Sequence, residues 1–234
     1  MQLKKLCSII KKEQETRTET AGAVFWSCLI LCLTKTEVRS RKKGKSMIHR
    51  CMEEFENCPV IAAIKDEEGL KKCIHSEIQI VFVLYGDICS IGDIVSQLKQ
   101  AGKTVIVHLD LITGLSSREI AVTYLKSVTH ADGIISTKPA VIRQAKEEGL
   151  FAIMRFFVID SIAFDSIYRQ TESVHPDMIE VLPGVMPKVI RRICQNSRVP
   201  VIAGGLISDK EDIIAALNAG AVSISTTNQT VWFM

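Results

Sequence analysis

The chain lacks the features that would declare a metal protein, a membrane protein or a standard RNA-reading module. Its eight cysteines (Cys7, Cys28, Cys32, Cys51, Cys58, Cys73, Cys89 and Cys194) form no C-x-x-C pair and no zinc-ligand spacing. Cysteines scattered through apolar segments behave as small buried hydrophobes, so neither a metal centre nor a catalytic thiol is expected. Long apolar runs are missing too. The run 21–33 is interrupted by Ser27 and falls short of the roughly 20 residues that span a bilayer. Glu13, Glu15 and Glu19 precede that run and no A-x-A site follows it, unlike a secretory signal. The expectation is a reducing cytoplasm with no membrane partner. Aromatic residues make up only 6%, and no aromatic RNP motif, GXXG clamp or zinc knuckle is found, so base stacking would have few platforms.

What is present is unevenly distributed. The net charge of +3 combines residues 1–46, with 11 basic and 4 acidic side chains, and the remainder, with 18 basic and 22 acidic. The larger part is therefore mildly acidic, which argues against bulk attraction to nucleic acid but not against a local basic patch. Lys42-Lys-Gly-Lys45 before Met47 is what a purine-rich ribosome-binding sequence spells when read in frame. Residues 1–46 are accordingly expected to be an over-extended start or a disordered leader, with an interfacial anchor or a basic RNA-binding arm ranked below. Residues 47–234 are expected to form one domain.

From Pro59 onward, β-branched apolar runs alternate with helical patterns. The strands expected are Val60–Ile64, Ile78–Tyr85, Thr104–Leu111, Gly133–Thr137, Phe151–Ile159, Met178–Leu182, Pro200–Ala203 and Ala221–Ser225. Their near-continuous apolar character suits a parallel sheet covered on both faces. Asp66-Glu-Glu, Ser90–Ala101, Ser116–Val128 (from a Ser-Ser-Arg-Glu capping signal) and Pro139–Glu148 supply helices between them. Eight strands with seven intervening helices predict an α/β fold, a compact (β/α)8 TIM barrel of one domain, near the lower end of the usual size of about 200 residues.

In such a barrel functional groups gather where strands end. Gly204-Gly205 and Ser225-Thr226-Thr227 close the last two strands, and backbone N–H groups of such turns cradle phosphate. His108, Asp110, Lys138, Arg155 and Glu180 sit in or after strands three to six and suggest a polar small-molecule pocket. His108 and Asp110 share one face if strand three continues through them. Each has a plainer reading: His108 as a satisfied core histidine, Arg155 and Glu180 as a buried ion pair between neighbouring strands. Asp160 is expected to cap the helix that starts at Ser161. Lys188, Arg191 and Arg192 are expected on a solvated helix face, with a contribution to a nucleic-acid patch left open.

At these residues the chain resembles the glycerol uptake operon antiterminator family of bacterial regulators. The resemblance covers roughly Pro59 to Trp232. It rests on His108-Leu-Asp-Leu-Ile112 with Gly114, Gly133-Ile-Ile-Ser-Thr137, Arg155-Phe-Phe with Asp160, Ile179-Glu-Val-Leu-Pro-Gly184 with Pro187, and Ala203-Gly-Gly-Leu-Ile207. It implies a barrel regulator that senses glycerol 3-phosphate and acts on the leader mRNA of glycerol-catabolic genes. It implies no cofactor beyond that effector, and leaves room for a homo-oligomer. The phosphate would lie at Gly204, Gly205 and Ser225–Thr227, the glycerol end near His108, Asp110, Arg155 or Glu180. Lys138 stands where the family pattern has arginine, and an ammonium cannot form the bidentate fork. The alternative is a barrel enzyme on a small phosphorylated substrate, an aldolase, isomerase or glycerophosphodiesterase-like activity, since one fold hosts many chemistries. The absence of a dense carboxylate cluster at a strand end weighs against the last of these.

Overall fold

Eight short apolar segments, Val60–Ile64 (β1), Ile80–Val83 (β2), Thr104–His108 (β3), Gly133–Ser136 (β4), Phe151–Phe157 (β5), Met178–Leu182 (β6), Val201–Gly204 (β7) and Ser223–Thr226 (β8), are buried along almost their whole length. Each pairs in parallel with the next, and β8 returns to β1, so the sheet closes into an eight-stranded barrel. The computed structural model describes residues 47–233, so the readings made for residues 1–46 lie outside the described residues.

The helices are Met47–Asn57 (α1), Glu67–Ile74 (α2), Ile91–Gln100 (α3), Glu119–Val128 (α4), Pro139–Glu147 (α5), Ser161–Val174 (α6), Pro187–Asn196 (α7) and Lys210–Asn218 (α8). The last seven connect successive strands. Each lays an apolar stripe on the barrel, such as Ile91, Ile94, Val95 and Leu98 of α3. Three starts are fixed by aspartate caps: Asp66 accepts from the Gly69 N–H at 2.7 Å, Asp160 from Ala163 at 2.7 Å and Asp209 from Asp212 at 2.9 Å. The Asp160 cap is the role expected for it.

Before β1 lies a helix that the sequence pattern did not suggest. α1 closes the end of the barrel where the strands begin. Phe55 stacks on Phe151 with ring centroids 5.3 Å apart, and Cys51 and Phe55 join the buried cluster with Ile61, Ile80, Phe82 and Met178. The Ser223 hydroxyl donates to the Phe55 carbonyl at 3.0 Å, and Arg50 reaches Asp132 at 3.4 Å. Of the described cysteines, Cys51 and Cys73 are buried and their thiols are shifted upward, that of Cys51 to about 12, with burial the largest cause. Cys89 departs from the expectation and is exposed.

Several expected boundaries move. β3 ends at His108, and Leu109–Leu111 is a 3-10 turn, so the assumed strand alternation of His108 and Asp110 does not hold. β2 is shorter than 78–85 and β5 stops at Phe157, where the paired register ends, although Leu84 and Val158 still donate to the Ile64 and Leu182 carbonyls at 2.8 Å. β7 and β8 are shifted toward their C-terminal ends, to Gly204 and Thr226. α4 starts at Glu119 after Arg118, which makes no side-chain cap bond, so the Ser-Ser-Arg-Glu capping signal from Ser116 does not operate. Among the described residues no helix is long and apolar enough to cross a membrane.

Candidate ligand-binding site

The exits of β6, β7 and β8 are stitched together at the end of the barrel opposite α1. After β7 the chain turns through two consecutive left-handed residues, Gly205 at φ +78° and Leu206 at φ +64°. Glycine is natural at the first of these, and a side chain there would also press on Leu182, 3.1 Å from its would-be Cβ. The Gly205 carbonyl accepts from the Gly184 N–H at 3.0 Å, tying this turn to the β6 exit. The β8 turn is fastened to the same place. The Thr226 hydroxyl donates to the Ile207 carbonyl at 2.8 Å, Asn228 donates to the Ser208 carbonyl at 2.8 Å, and the Trp232 indole donates to the Thr226 carbonyl at 3.0 Å. Leu206 and Thr227 are exposed.

Of the five residues expected at a phosphate cradle, two have their hydroxyls engaged internally. Ser225 donates to Glu180, and Thr226 to the Ile207 carbonyl. Gly204 is required by packing: a Cβ there would sit 2.5 Å from the Ser225 hydroxyl and 2.6 Å from Glu180 Oε1. Gly205 and Thr227, with the backbone between β7 and α8, are what the turn presents outward.

Beneath this turn lies a buried polar chain. Arg155 and Glu180 are register partners on β5 and β6 and form an ion pair through Arg155 Nε, with Glu180 fully buried and Arg155 at 7% exposure. The ion-pair reading of these two residues is thus the observed one. His108, at the end of β3, is 2% exposed, and its Nδ1 has no hydrogen-bond partner among the described residues. Burial, then the Arg155 charge, hold its pKa down to about 4, against a smaller opposing pull from Asp110. The imidazole is therefore neutral at pH 7, with one ring nitrogen free to donate or accept. Asp110 is held by the Thr137 N–H at 2.8 Å, the Thr137 hydroxyl at 2.9 Å and the Ser136 hydroxyl at 2.8 Å. Burial alone would raise its pKa, but these bonds and His108 bring it below the ordinary carboxylate value. Lys138 is exposed at the start of α5, with its N–H on the Ser136 hydroxyl at 3.0 Å.

The structure therefore brings Arg155, Glu180, Ser225 and Gly204 into one contact group, with His108 and Asp110 beside it. Lys188, Arg191 and Arg192 are exposed on α7, in the outer layer. Arg192 lies over the Phe164 ring at 4.7 Å, so part of its role is packing. Sequence reasoning missed Ser136, Gly184, Asn228 and the bracing role of Trp232. Only Gly184, in Leu-Pro-Gly at a strand exit, carried a local signal. Among the described residues no group of three or more His, Cys, Asp or Glu is placed to hold a metal ion.

The sequence profile of the glycerol-3-phosphate responsive antiterminators matches residues 60–232. The uncharacterized Escherichia coli K12 protein YgcP is 51% identical over 174 residues, covering 74% of this chain and 91% of that one. A glycerol uptake operon antiterminator regulatory protein from Listeria monocytogenes superposes with a TM-score of 0.73 at 32% identity, covering 75% of this chain and 95% of the other. An antiterminator-related protein from Thermotoga maritima gives a TM-score of 0.68 at 36% identity, covering 76% and 99%. Barrel enzymes at 12–18% identity share the fold alone.

Proposed function

This chain belongs to the family of glycerol-3-phosphate responsive antiterminators, and on that premise we propose that it binds glycerol 3-phosphate at the β6–β8 end of the barrel and, so loaded, binds the leader mRNA of glycerol-catabolic genes. The observation that carries this reading is the extent of the family match, from the first residue of β1 to the tryptophan that braces the β8 turn. The phosphate sits against the backbone of Gly205–Ile207 and Thr227, with Gly204 and Ser225 as its floor. The glycerol hydroxyls meet the free Nδ1 of His108, a neutral ring that donates or accepts without charge. Lys138, exposed at the β4 exit, adds a point charge for the phosphate.

Acid–base chemistry on a barrel would need a free carboxylate to work with His108 near the phosphate. Here Glu180 is paired with Arg155 and Ser225, and Asp110 accepts three hydrogen bonds. That arrangement favours holding a ligand over moving its protons, so the protein acts as a regulator.

The test is thermal unfolding with and without ligand. Glycerol 3-phosphate at 100 times its Kd adds about 2.7 kcal/mol of stability by mass action, and glycerol adds nothing. Gly205→Asp abolishes the effect, because its carboxylate repels the phosphate and its side chain occupies the turn. Equal stabilisation by glycerol, or a full response in Gly205→Asp, would refute the cradle.

A further inference from the structure

At the opposite end of the molecule from this turn, a cavity of about 310 Å³ opens between α6 and the segment leading from α7 into β7. Ile167 and Val199 form its apolar lining, Tyr168, Thr171, His175 and Arg198 supply polar groups, and one carboxylate, Glu172, also faces it. Thr171 is 8% exposed, and its hydroxyl has no hydrogen-bond partner among the described residues. A buried hydroxyl left unbonded costs about 1–3 kcal/mol; this oxygen is closed to solvent in the free protein, so a ligand gains its bond by drawing the side chains at the cleft edge slightly apart. Tyr168 is half-buried, its hydroxyl on the Arg192 carbonyl at 3.4 Å. Burial above all raises its pKa, so the ring is neutral. His175 ends α6 in the left-handed conformation, φ +52°, with its side chain exposed at the rim.

The surroundings are basic in a domain that is not. Arg169, Lys188, Arg191, Arg192 and Arg198 belong to α6, α7 and the segment after α7, against Asp165 and Glu172. Lys188, Arg191 and Gln195 are spaced to share one exposed helix face that runs toward Arg198. Among the described residues Lys188, Arg191 and Arg198 make no ion pair. An aromatic wall, an apolar floor, an unsatisfied hydroxyl and unpaired cations along one edge are the elements that hold a single-stranded nucleic acid: a platform for a base face, a polar group for a base edge, and charge for the flanking phosphates. The volume lies at the small end of ligand pockets, about 300 Å³, which suits one unpaired base.

We propose that the α6–α7 cleft is the RNA contact site, receiving one unstacked base of the leader transcript against Tyr168 and Thr171 while Arg198 and the Lys188–Arg191 stripe hold the adjoining phosphates. This rests on the antiterminator reading and adds to it a location for RNA. The cleft is distinct from the glycerol 3-phosphate turn, so the two ligands bind at once.

The experiment uses the full chain, saturated with glycerol 3-phosphate, and a fluorescein-labelled transcript of the leader of a glycerol-catabolic gene from the same genome. Thr171→Val keeps the shape and removes the hydroxyl; it weakens RNA binding about 2- to 10-fold, the worth of one hydrogen bond. Arg198→Gln weakens binding and reduces the slope of log affinity against log salt by about 0.7, one single-strand phosphate contact. Both variants keep the wild-type melting shift with glycerol 3-phosphate. A 4-thiouridine-substituted transcript cross-links to the peptide carrying Tyr168 or His175. Wild-type RNA affinity and salt slope in both variants, with cross-links elsewhere, overturn the site alone. No transcript binding by the wild type, with its glycerol 3-phosphate response intact, overturns the antiterminator reading together with the site. Occupation of the cleft by adenosine or uridine monophosphate at micromolar concentration, with no transcript bound, assigns it to a free nucleotide and overturns the proposal.

Discussion

Replacing Glu180 by glutamine tests whether the polar chain beneath the ligand turn is a structural unit. The substitution keeps volume and one carbonyl acceptor, so no cavity opens beside Gly204. It does remove the carboxylate charge paired with Arg155, which is 7% exposed. An arginine cannot shed its proton to escape burial, so the variant keeps an uncompensated buried cation, which costs about 3–5 kcal/mol. That is a large share of a total stability of about 5–15 kcal/mol. For a domain of this size each kcal/mol moves Tm by about 2–4 °C, so Tm drops by about 6–20 °C. Arg155→Met loses a similar amount, because Glu180 is then the unpaired charge. The double variant Glu180→Gln/Arg155→Met recovers much of the loss, since no unpaired charge remains. Urea unfolding followed by far-UV circular dichroism on the four proteins measures this. A Glu180→Gln loss under about 1 kcal/mol, or strictly additive single losses, would show that the pair is not desolvated, and the account would fail.

Three further outcomes follow from the same geometry. Gly204→Ala pushes a methyl group against the Ser225 hydroxyl and Glu180 Oε1 and lowers stability by about 1–3 kcal/mol; an unchanged urea midpoint contradicts the packing argument. His108 has a folded-state pKa of about 4, below its ordinary 6.5, so between those values the unfolded chain holds a proton that the native state lacks. Its contribution is complete above pH 6.5 and is lost as pH falls toward 4; in His108→Gln that stretch of the stability profile flattens, and an unaltered profile refutes the assignment. RNA tightens glycerol 3-phosphate binding by the same factor that glycerol 3-phosphate tightens RNA binding, about 5- to 150-fold by titration calorimetry in both directions; unequal factors contradict simple linkage.

The barrel was legible because its strands are apolar on both faces. β1 and β6 were bounded correctly at both ends, since Lys65 and Asp66 stop one and Pro183 and Gly184 the other. β3 ran too long because apolar residues alternate through His108-Leu-Asp-Leu, and a 3-10 turn that buries Leu109 mimics that alternation. α1 escaped because the burial of Cys51 and Phe55, and the packing of Met47, Ile48 and Met52 beside them, depends on a barrel mouth that local sequence does not describe. The candidate site was legible as residue types but not as roles. Gly204 read as a glycine that admits phosphate; its missing Cβ makes room for Glu180 and Ser225, which lie 24 positions before it and 21 after it in the chain. The α6–α7 cleft left no signal at all, since Thr171 looks like any helical threonine until its hydroxyl is found without a partner.

For a sensor of this shape the remaining physical question is how occupancy at one end of the barrel changes affinity at the other. A ligand shifts an equilibrium only by its differential affinity for the two states, so the element joining the sites must itself have two arrangements. The β6 exit and α7 are the segments that join the two proposed sites. Gly184 donates to the Gly205 carbonyl, so anything that orders the Gly205–Leu206 turn acts directly on the segment from which α7 starts. α7 then carries Lys188 and Arg191 on its exposed face and ends beside the cleft. Its buried anchors are Ile190 and Ile193, with Cys194 packed beside Gly220. Helices held by side-chain packing shift more readily than strands tied into a closed hydrogen-bonded sheet, so α7 is the element through which such a change would pass. The Arg192–Phe164 contact and the Tyr168 bond to the Arg192 carbonyl couple that movement to α6, the other wall of the cleft. On the proposed reading the barrel is the fixed frame, and the α6–α7 pair is the part that glycerol 3-phosphate would set and RNA would read.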